Sequence, residues 1–279
     1  MTEDRHILGL SGGRDSAALA VYMRQHRPEL PLEYFFTDTG KELPEVYKFL
    51  DKLEGFLGRP IQRLNPDRDF DFWLAEYGNF LPSPRTRWCT RQLKLRPLEQ
   101  WLRSDLDAGV KVHSYVAIRA DEPNRDGYQS THINMQVHLP LREAGIDRTG
   151  VIDILKSAEV GEPDYYRWRS RSGCTFCFFQ QKIEWVRLYE QHPDRFAEAV
   201  EYEKTALEDG SPFTWSMGES LIELVQPKRI AQIKADYEKR LERLRRSRRI
   251  NPLSARSPES IDDVYGIDEA SGGCVVCHK

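Results

Sequence analysis

Residues 7–16 read Ile-Leu-Gly-Leu-Ser-Gly-Gly-Arg-Asp-Ser. The apolar run Ile7 to Leu10 predicts a strand, and Ala17, Ala18, Leu19, Ala20 and Val21 behind the polar stretch predict a helix. Between them, adjacent glycines let the backbone pass close to an anion and turn successive N–H groups toward it. The positive end of the following helix adds to that attraction. Ser11 and Ser16 carry hydroxyls suited to phosphate oxygens. Asp15 would repel a bare phosphate and makes sense beside one only where a magnesium ion bridges the two. The stretch has neither the Gly-Lys-Ser/Thr ending of a P-loop nor the spacing of a dinucleotide fingerprint.

Working outward, Leu32 to Phe36 predicts a second strand, ending in Thr37-Asp38-Thr39-Gly40-Lys41-Glu42-Leu43-Pro44-Glu45. Pro44 opens a predicted helix to Leu57. In an open parallel sheet ligands bind at the carboxyl ends of strands, which sets Asp38 and Thr39 beside the glycine loop, where they suit a nucleotide's ribose or base. An ordinary helix-capping role for Asp38 is the alternative. Val112 to Ile118 predicts another strand, followed by the charged run Arg119-Ala-Asp-Glu-Pro-Asn-Arg125. His132 and His138 flank the next short strand and read as structural, because no metal-ligand spacing supports them. The Arg142 to Tyr166 segment reads as further sheet or as a short core helix.

Length and composition agree with an α/β domain. A chain of 279 residues with 39% hydrophobic content buries a full core and leaves material for a smaller second region. The expected architecture is an open, mostly parallel twisted sheet flanked by helices, residues 1–170, followed by a helical C-terminal region, residues 171–279. No stretch approaches the ~18 apolar residues of a membrane span, and the polar start Met-Thr-Glu-Asp-Arg-His is unlike a signal peptide, so a cytoplasmic protein is expected. A net charge of −3 argues against bulk electrostatic attraction to nucleic acid and confines any such contact to local patches. Ser83 to Pro97, which contains Arg85, Arg87, Arg91 and Lys94, is one candidate, unless it is a solvated helix face. Ala231 to Arg249, a predicted helix ending Arg243-Leu-Arg-Arg-Ser-Arg-Arg249, is another. Trp185, Leu188, Tyr189, Phe196, Ala199 and Val200 recur at helical spacing, with Pro193 splitting the run into two core helices.

The five cysteines form a second signal. Cys174-Thr-Phe-Cys177 and Cys274-Val-Val-Cys277 are two C-x-x-C pairs, which leaves Cys89 alone. Two such pairs in a cytoplasmic chain read as a four-thiolate metal site, for a [4Fe-4S] cluster or for zinc. The site would tie the tail back onto the body across the connector Asn251 to Gly273.

These motifs together resemble the PP-loop ATP pyrophosphatase superfamily, in its phosphoadenosine phosphosulfate reductase-like branch. The S-G-G-x-D-S loop is that family's pyrophosphate loop, and F-x-D-T-G-x-E-x-P-E closely matches the reductase branch. Arg87, Cys89, Thr90, Leu93, Lys94 and Pro97 fit its R-x-C-T-x-x-L-K-x-x-P element. Arg119 to Arg125 is similar to G-I-R-A-D-E-S-x-R, with Ala117 for the usual Gly and Pro123 for the usual Ser. Thr90 stands where iron–sulfur members carry a second adjacent cysteine. The tail's Cys-Val-Val-Cys-His-Lys differs from the lone nucleophilic cysteine of true reductases. The combination most resembles the sulfur-incorporation proteins of bacterial DNA phosphorothioation.

The resemblance implies ATP and magnesium held by Ser11, Gly12, Gly13, Asp15 and Ser16. Asp38, Thr39, Arg87, Lys94, Arg119 and Arg125 become contacts to nucleotide or substrate, with Ser11, Asp15 and Arg119 catalytic. Cys89 becomes a candidate sulfur receiver, if it is not a buried structural thiol under Trp88. It also implies adenylation of a DNA backbone phosphate, sulfur from a cysteine desulfurase, and other modification-complex subunits as partners. A phosphoadenosine phosphosulfate reductase, a tRNA thiolase and a non-catalytic nucleotide-binding subunit of such a complex remain alternatives.

Overall fold

The computed structural model describes residues 4–125, 132–170, 173–210, 214–216 and 218–250; for 247–250 it describes the backbone only. Cys274, Cys277 and the connector before them lie outside the described residues.

Five strands form one parallel sheet: β1 (Arg5–Gly9), β2 (Leu32–Thr37), β3 (Ile61–Leu64), β4 (Val112–Tyr115) and β5 (Met135–His138), in the order β3-β2-β1-β4-β5. Register is set by pairs such as Leu8↔Tyr34 and Leu8↔Tyr115. Because β2 lies on one side of β1 and β4 on the other, the chain reverses its winding at β1. That leaves a crevice at its carboxyl end, where the glycine loop stands.

Alternation along the strands builds two apolar layers. Ile7, Phe35, Leu64 and Val112 point to one face, where they meet Leu98 and Leu102. Leu8, Tyr34 and Phe36 point to the other and join the main core. The helices α1 (Arg14–His26), α2 (Pro44–Leu57) and α3 (Phe70–Glu76) follow the first three strands. A continuous helical stretch then comprises α4 (Trp88–Thr90), a π turn over Arg91–Leu95 and α5 (Arg96–Asp107), and α5 brings Leu98 and Leu102 to the sheet. Beyond β5 come α6 (Pro140–Glu143) and α7 (Arg148–Ser157), the latter packed on α1. The 142–166 segment is therefore helical and adds no strand. Its apolar positions are too few to separate the two periods in sequence.

The C-terminal part is helical: α8 (Lys182–Gln191), α9 (Pro193–Glu208), α10 (Leu221–Leu224) and α11 (Pro227–Ile250). Pro193 divides α8 from α9, as expected from the sequence. Trp185, Leu188, Phe196 and Ala199 join the same apolar core that begins under the sheet. β4 ends at Tyr115, three residues before the expected Ile118, because the backbone turns: Val116 N still donates to His138 O at 2.9 Å, and Ile118 N closes back on Val116 O at 3.0 Å.

Three histidines meet on adjacent strands away from the glycine loop. His113 Nδ1 lies 2.9 Å from His138 Nε2, His6 stacks on His113, and His6 Nδ1 lies 3.0 Å from Tyr115 Oη. This is a structural packing of imidazoles, as expected for His138. Burial, and then the neighbouring His113, hold the His6 and His138 pKa values below the ordinary imidazole range, with Asp4, Glu143 and Arg27 as lesser influences. A lowered native pKa means that the unfolded chain binds more protons, so stability falls as pH drops through about 6.5. Thermal unfolding of His138→Gln should show a shallower loss of Tm between about pH 7 and 5 than wild type. Identical slopes would show that the cluster contributes nothing.

Candidate active site

The glycine loop is held in shape by its own hydroxyls. Ser11 N donates to Ser16 Oγ at 3.1 Å, Ser16 Oγ donates to Gly13 O at 3.1 Å, and Gly13 N donates to Ser11 Oγ at 3.4 Å. Tyr165 Oη donates to Gly12 O at 3.2 Å from the far side of the loop. Gly12 has φ +70°, and a Cβ there would lie 2.5 Å from Val46 Cγ1 of α2. Glycine is required at that position both by backbone conformation and by space. Gly13 caps α1 in extended conformation and directs the helix's first turn at the crevice.

A buried ion network stands beside the loop. Arg119 Nη1 donates to Asp15 Oδ2 at 2.9 Å, with the two side chains 4% and 5% exposed. Arg119 Nε also donates to Asp121 Oδ1 at 2.8 Å, and its backbone N–H to Glu122 Oε2 at 3.2 Å. Burial works to discharge the guanidinium, but the carboxylates of Asp15, Asp121 and Glu122 outweigh it and raise the pKa. Arg125 Nη1 donates to Glu122 Oε1 at 3.0 Å, and Arg142 Nη2 fixes the segment by donating to the carbonyls of Glu122 and Arg125 at 2.6 Å each. Arg14 Nη1 donates to Glu162 Oε1 at 2.8 Å. Arg119 and Arg125, read from the sequence as anion contacts, are thus also the centre of a carboxylate network.

Asp38 and Thr39 sit where the sequence places them, at the carboxyl end of β2. Asp38 Oδ1 accepts from Gly40 N at 2.9 Å and from Tyr47 Oη at 2.8 Å, and Thr39 Oγ1 donates to Glu42 Oε1 at 3.0 Å. Asp38 does not cap α2, whose N-cap is Leu43. Glu42 is buried, and burial, opposed by Lys94 at 3.9 Å, raises its carboxyl pKa.

The cationic run divides among different surroundings. Lys94 turns inward to Glu42, Arg87 lies with its guanidinium carbon 5.6 Å from the Phe179 ring centroid, and Arg85 and Arg91 are exposed. Burial separates them: the π turn after α4 carries Lys94 into the protein and leaves Arg91 outside.

The cysteine loop docks on the segment between β2 and α2. Leu43 N donates to Gly173 O and Thr175 N to Lys41 O, both at 2.8 Å, which brackets Cys174 against Glu42. A Cβ on Gly173 would lie 2.2 Å from Val46 Cγ2. One valine therefore touches both the glycine loop and the cysteine loop. Burial, then Glu42, push the Cys174 thiol well above its ordinary pKa, with Cys177 and Cys89 acting in the same direction and Lys94 against them. Cys89 is half-buried, and its electrostatic influence reaches Cys174, a proximity the sequence did not reveal. Among the described residues no group of three or more His, Cys, Asp or Glu is arranged to hold a metal ion. Cys274 and Cys277, the other half of the expected site, lie outside them.

Residues 5–136 match the phosphoadenosine phosphosulfate reductase domain. Over those residues, just under half of the chain, the sequence is similar to that domain. An uncharacterized protein of Methanocaldococcus jannaschii is 26% identical over 194 residues, 67% of this chain and 39% of that protein. Phosphoadenosine 5′-phosphosulfate reductase of Alteromonas mediterranea is 33% identical over 75 residues, 27% of this chain and 29% of the enzyme. These matches span less than half the length of either relative. The crystal structure of a phosphoadenylyl-sulfate reductase from Candida auris superposes with a TM-score of 0.49 and 13% identity, covering 62% of this chain and 82% of that one. No helix among the described residues is long and apolar enough to cross a membrane.

Sequence reasoning missed Val46, Glu42, Glu162, Arg142 and Tyr165. The first two stand in or beside the D-T-G-x-E-x-P-E element, and the other three act on the site from distant parts of the chain. Two substitutions probe the geometry by urea unfolding. Gly12→Ala should lose about 2–5 kcal/mol, from the left-handed backbone and the Val46 clash together. Arg119→Leu, which strands Asp15 in the interior, should lose about 3–5 kcal/mol. Losses below 1 kcal/mol would show that the loop relaxes freely.

Proposed function

We propose that this chain is a PP-loop ATP pyrophosphatase that adenylates a phosphate oxygen, in the DNA backbone, so that sulfur can replace it. The observation that carries this reading is the glycine loop, clipped by Ser11 and Ser16, facing the Asp15–Arg119 pair and sharing Val46 with a cysteine loop. The acceptor oxygen attacks the α phosphorus of ATP, the bond from that phosphorus to the bridging oxygen breaks, and pyrophosphate leaves. Backbone N–H groups of the loop and the amino end of α1 stabilise charge on the departing group, the usual source of rate in transfer at phosphorus. Arg119, held by Asp15 and Asp121, neutralises the substrate phosphates, and Asp38, Thr39, Arg87, Lys94 and Arg125 orient nucleotide and substrate.

Magnesium takes hard oxygen donors, the type that Asp15, Ser11 and Ser16 supply, and when bound it adds positive charge at the pyrophosphate. The thiolates of Cys174, Cys177, Cys274 and Cys277 suit a [4Fe-4S] cluster or zinc, and Cys89 is close enough to the first pair to influence Cys174. In this reading residues 1–170 bind nucleotide and residues 171–279 carry the metal and the basic end of α11. The protein works in the cytoplasm with a cysteine desulfurase as sulfur donor and with other subunits of a modification complex. The reductase-domain match and the Alteromonas relative favour a second reading, thiol-dependent reduction of a nucleotide sulfate in the same pocket.

The deciding measurement is release of AMP and pyrophosphate from α-labelled ATP with magnesium, with and without DNA. Wild type should turn over and be stimulated by DNA, and Ser11→Ala and Asp15→Ala should each fall by about 10²- to 10³-fold. Sulfite release that needs thioredoxin and no ATP would move the assignment to the reductase. An anaerobic absorption spectrum tests the metal separately: a broad visible band that bleaches on reduction is expected, and its loss in Cys174→Ser ties it to the cysteine loop. Zinc content with no visible band would overturn the cluster.

A further inference from the structure

A pocket of about 300 Å³ opens beyond the end of β3, lined by Asp67, Arg68, Trp73, Gln92, Arg96 and Gln100. Its volume stands at the lower end of the ~300–1,000 Å³ range for small-molecule sites, enough for one nucleotide-sized group. The lining follows from helix geometry. Gln92, Arg96 and Gln100 recur every fourth residue through the π turn and α5, which sets them in a row on one face. Opposite them, α3 presents half-buried Phe72 and Trp73, and Tyr77 follows it, 37% exposed.

The chemistry of this surface is specific. The Arg96 guanidinium carbon lies 5.7 Å from the Trp73 ring centroid, and that of Arg68 lies 4.3 Å from Phe72. Tyr77 stacks on Trp88 with centroids 5.4 Å apart, and its hydroxyl accepts from Gln92 Nε2 at 3.2 Å. Gln100 Nε2 donates to Asp67 Oδ2 at 3.0 Å. Half-buried Trp73 lines the pocket together with exposed Arg68 and Arg96, and an aromatic ring beside cations is the usual platform for unpaired bases. The two amides and the Asp67 carboxylate add donors and acceptors of the kind that meet a base edge. The aromatic ring favours nucleic acid over an acidic peptide, the other polyanion that arginines attract, because a base stacks on it and a carboxylate does not.

From this we infer that the groove between α3 and the π turn binds single-stranded DNA, stacking one extruded base on Trp73 and holding its flanking phosphates with Arg68 and Arg96. The inference rests on the proposed DNA acceptor and extends it. β3 lies two strands from β1, so the two strands stand on the order of 10 Å apart at the carboxyl edge of the sheet, with the pocket on the β3 side and the glycine loop at β1. A strand anchored by a base at β3 then runs its backbone toward the glycine loop. Exposed Arg91 beside the groove continues the cationic track.

The test is fluorescence anisotropy of a labelled single-stranded oligodeoxynucleotide on the full chain, without ATP, against duplex DNA and RNA of the same sequence and an acidic peptide. Trp73→Leu should weaken single-strand binding by about 5- to 100-fold, the effect of one lost base stack, and Trp73→Phe should restore most of it. The double variant Arg68→Gln/Arg96→Gln carries the test if Trp73→Leu does not fold, and should flatten the salt dependence of log K by about 0.7 for each phosphate contact removed. Wild-type affinity in these variants overturns the inference, and so does preference for duplex, RNA or peptide. Weakened DNA binding in Trp73→Leu, beside a wild type that releases no pyrophosphate, keeps the groove and removes the adenylation reading. DNA-stimulated pyrophosphate release, with single-strand binding unchanged in Trp73→Leu, removes the groove and keeps that reading.

Discussion

Val46 fixes the arrangement on which the rest of the site depends. Its two methyl groups press on two backbones: a Cβ would come within 2.5 Å of Cγ1 at Gly12 and within 2.2 Å of Cγ2 at Gly173. A β-branched side chain in a helix has essentially one rotamer, so Val46 is a rigid spacer and cannot swing aside to admit a larger neighbour. Two glycines 161 positions apart in sequence therefore answer to one residue. α2, opened by Pro44 and buried along Val46, Phe49, Leu50 and Leu53, carries the spacer, and the core that holds α2 also holds the site.

Charge is treated in the same way, by enclosure. Asp15 with Arg119, and Glu42 with Lys94, are buried at the carboxyl ends of the strands. Desolvating such groups is expensive, and the attraction between partners offsets it only where hydrogen bonds are well made, as they are around Arg119. The Glu42–Lys94 separation of 3.9 Å is looser, and burial raises the Glu42 pKa against the opposing pull of Lys94. Glu42 is also the residue against which Cys174 is bracketed, so the thiol sits in a field of negative sign. The interior of the protein is polar where the sheet opens, and that polarity is organised around carboxylates as much as around arginines.

Much of the frame was legible in the sequence because its causes are local. The strand–glycine–helix order, α2 from Pro44 to Leu57 and the break at Pro193 each follow from residues within one turn or one strand of each other. β4 was read too long because Val116, Ala117 and Ile118 are as apolar as a strand, while the turn that ends it is made by a backbone bond between Ile118 and Val116. Around the site, the residue types were legible and their partners were not. Nothing near Arg119 announces Asp15, 104 positions away, or that the acidic residues after it would wrap its guanidinium. Arg87 and Lys94 look equivalent in sequence, yet Arg87, before α4, lies by Phe179, and Lys94, within the π turn, is carried inward to Glu42.

The shared spacer bears on the chemistry as well as on the packing. An enzyme that activates an atom at one centre and exchanges it for sulfur from another needs the two centres at a constant separation and in register. A loop joined by a flexible linker would provide neither. Here the cysteine loop is bonded through Gly173 and Thr175 to the backbone of Leu43 and Lys41, three and five residues before Val46, and the glycine loop leans on that same valine. A shift of the cysteine loop along this contact must be taken up either by α2, which is anchored in the core, or by Gly12, whose carbonyl is held by Tyr165. Both resist. The two centres of the proposed reaction are thereby set as one body, and the variable part is left to the groove and the helices that bring the acceptor to it.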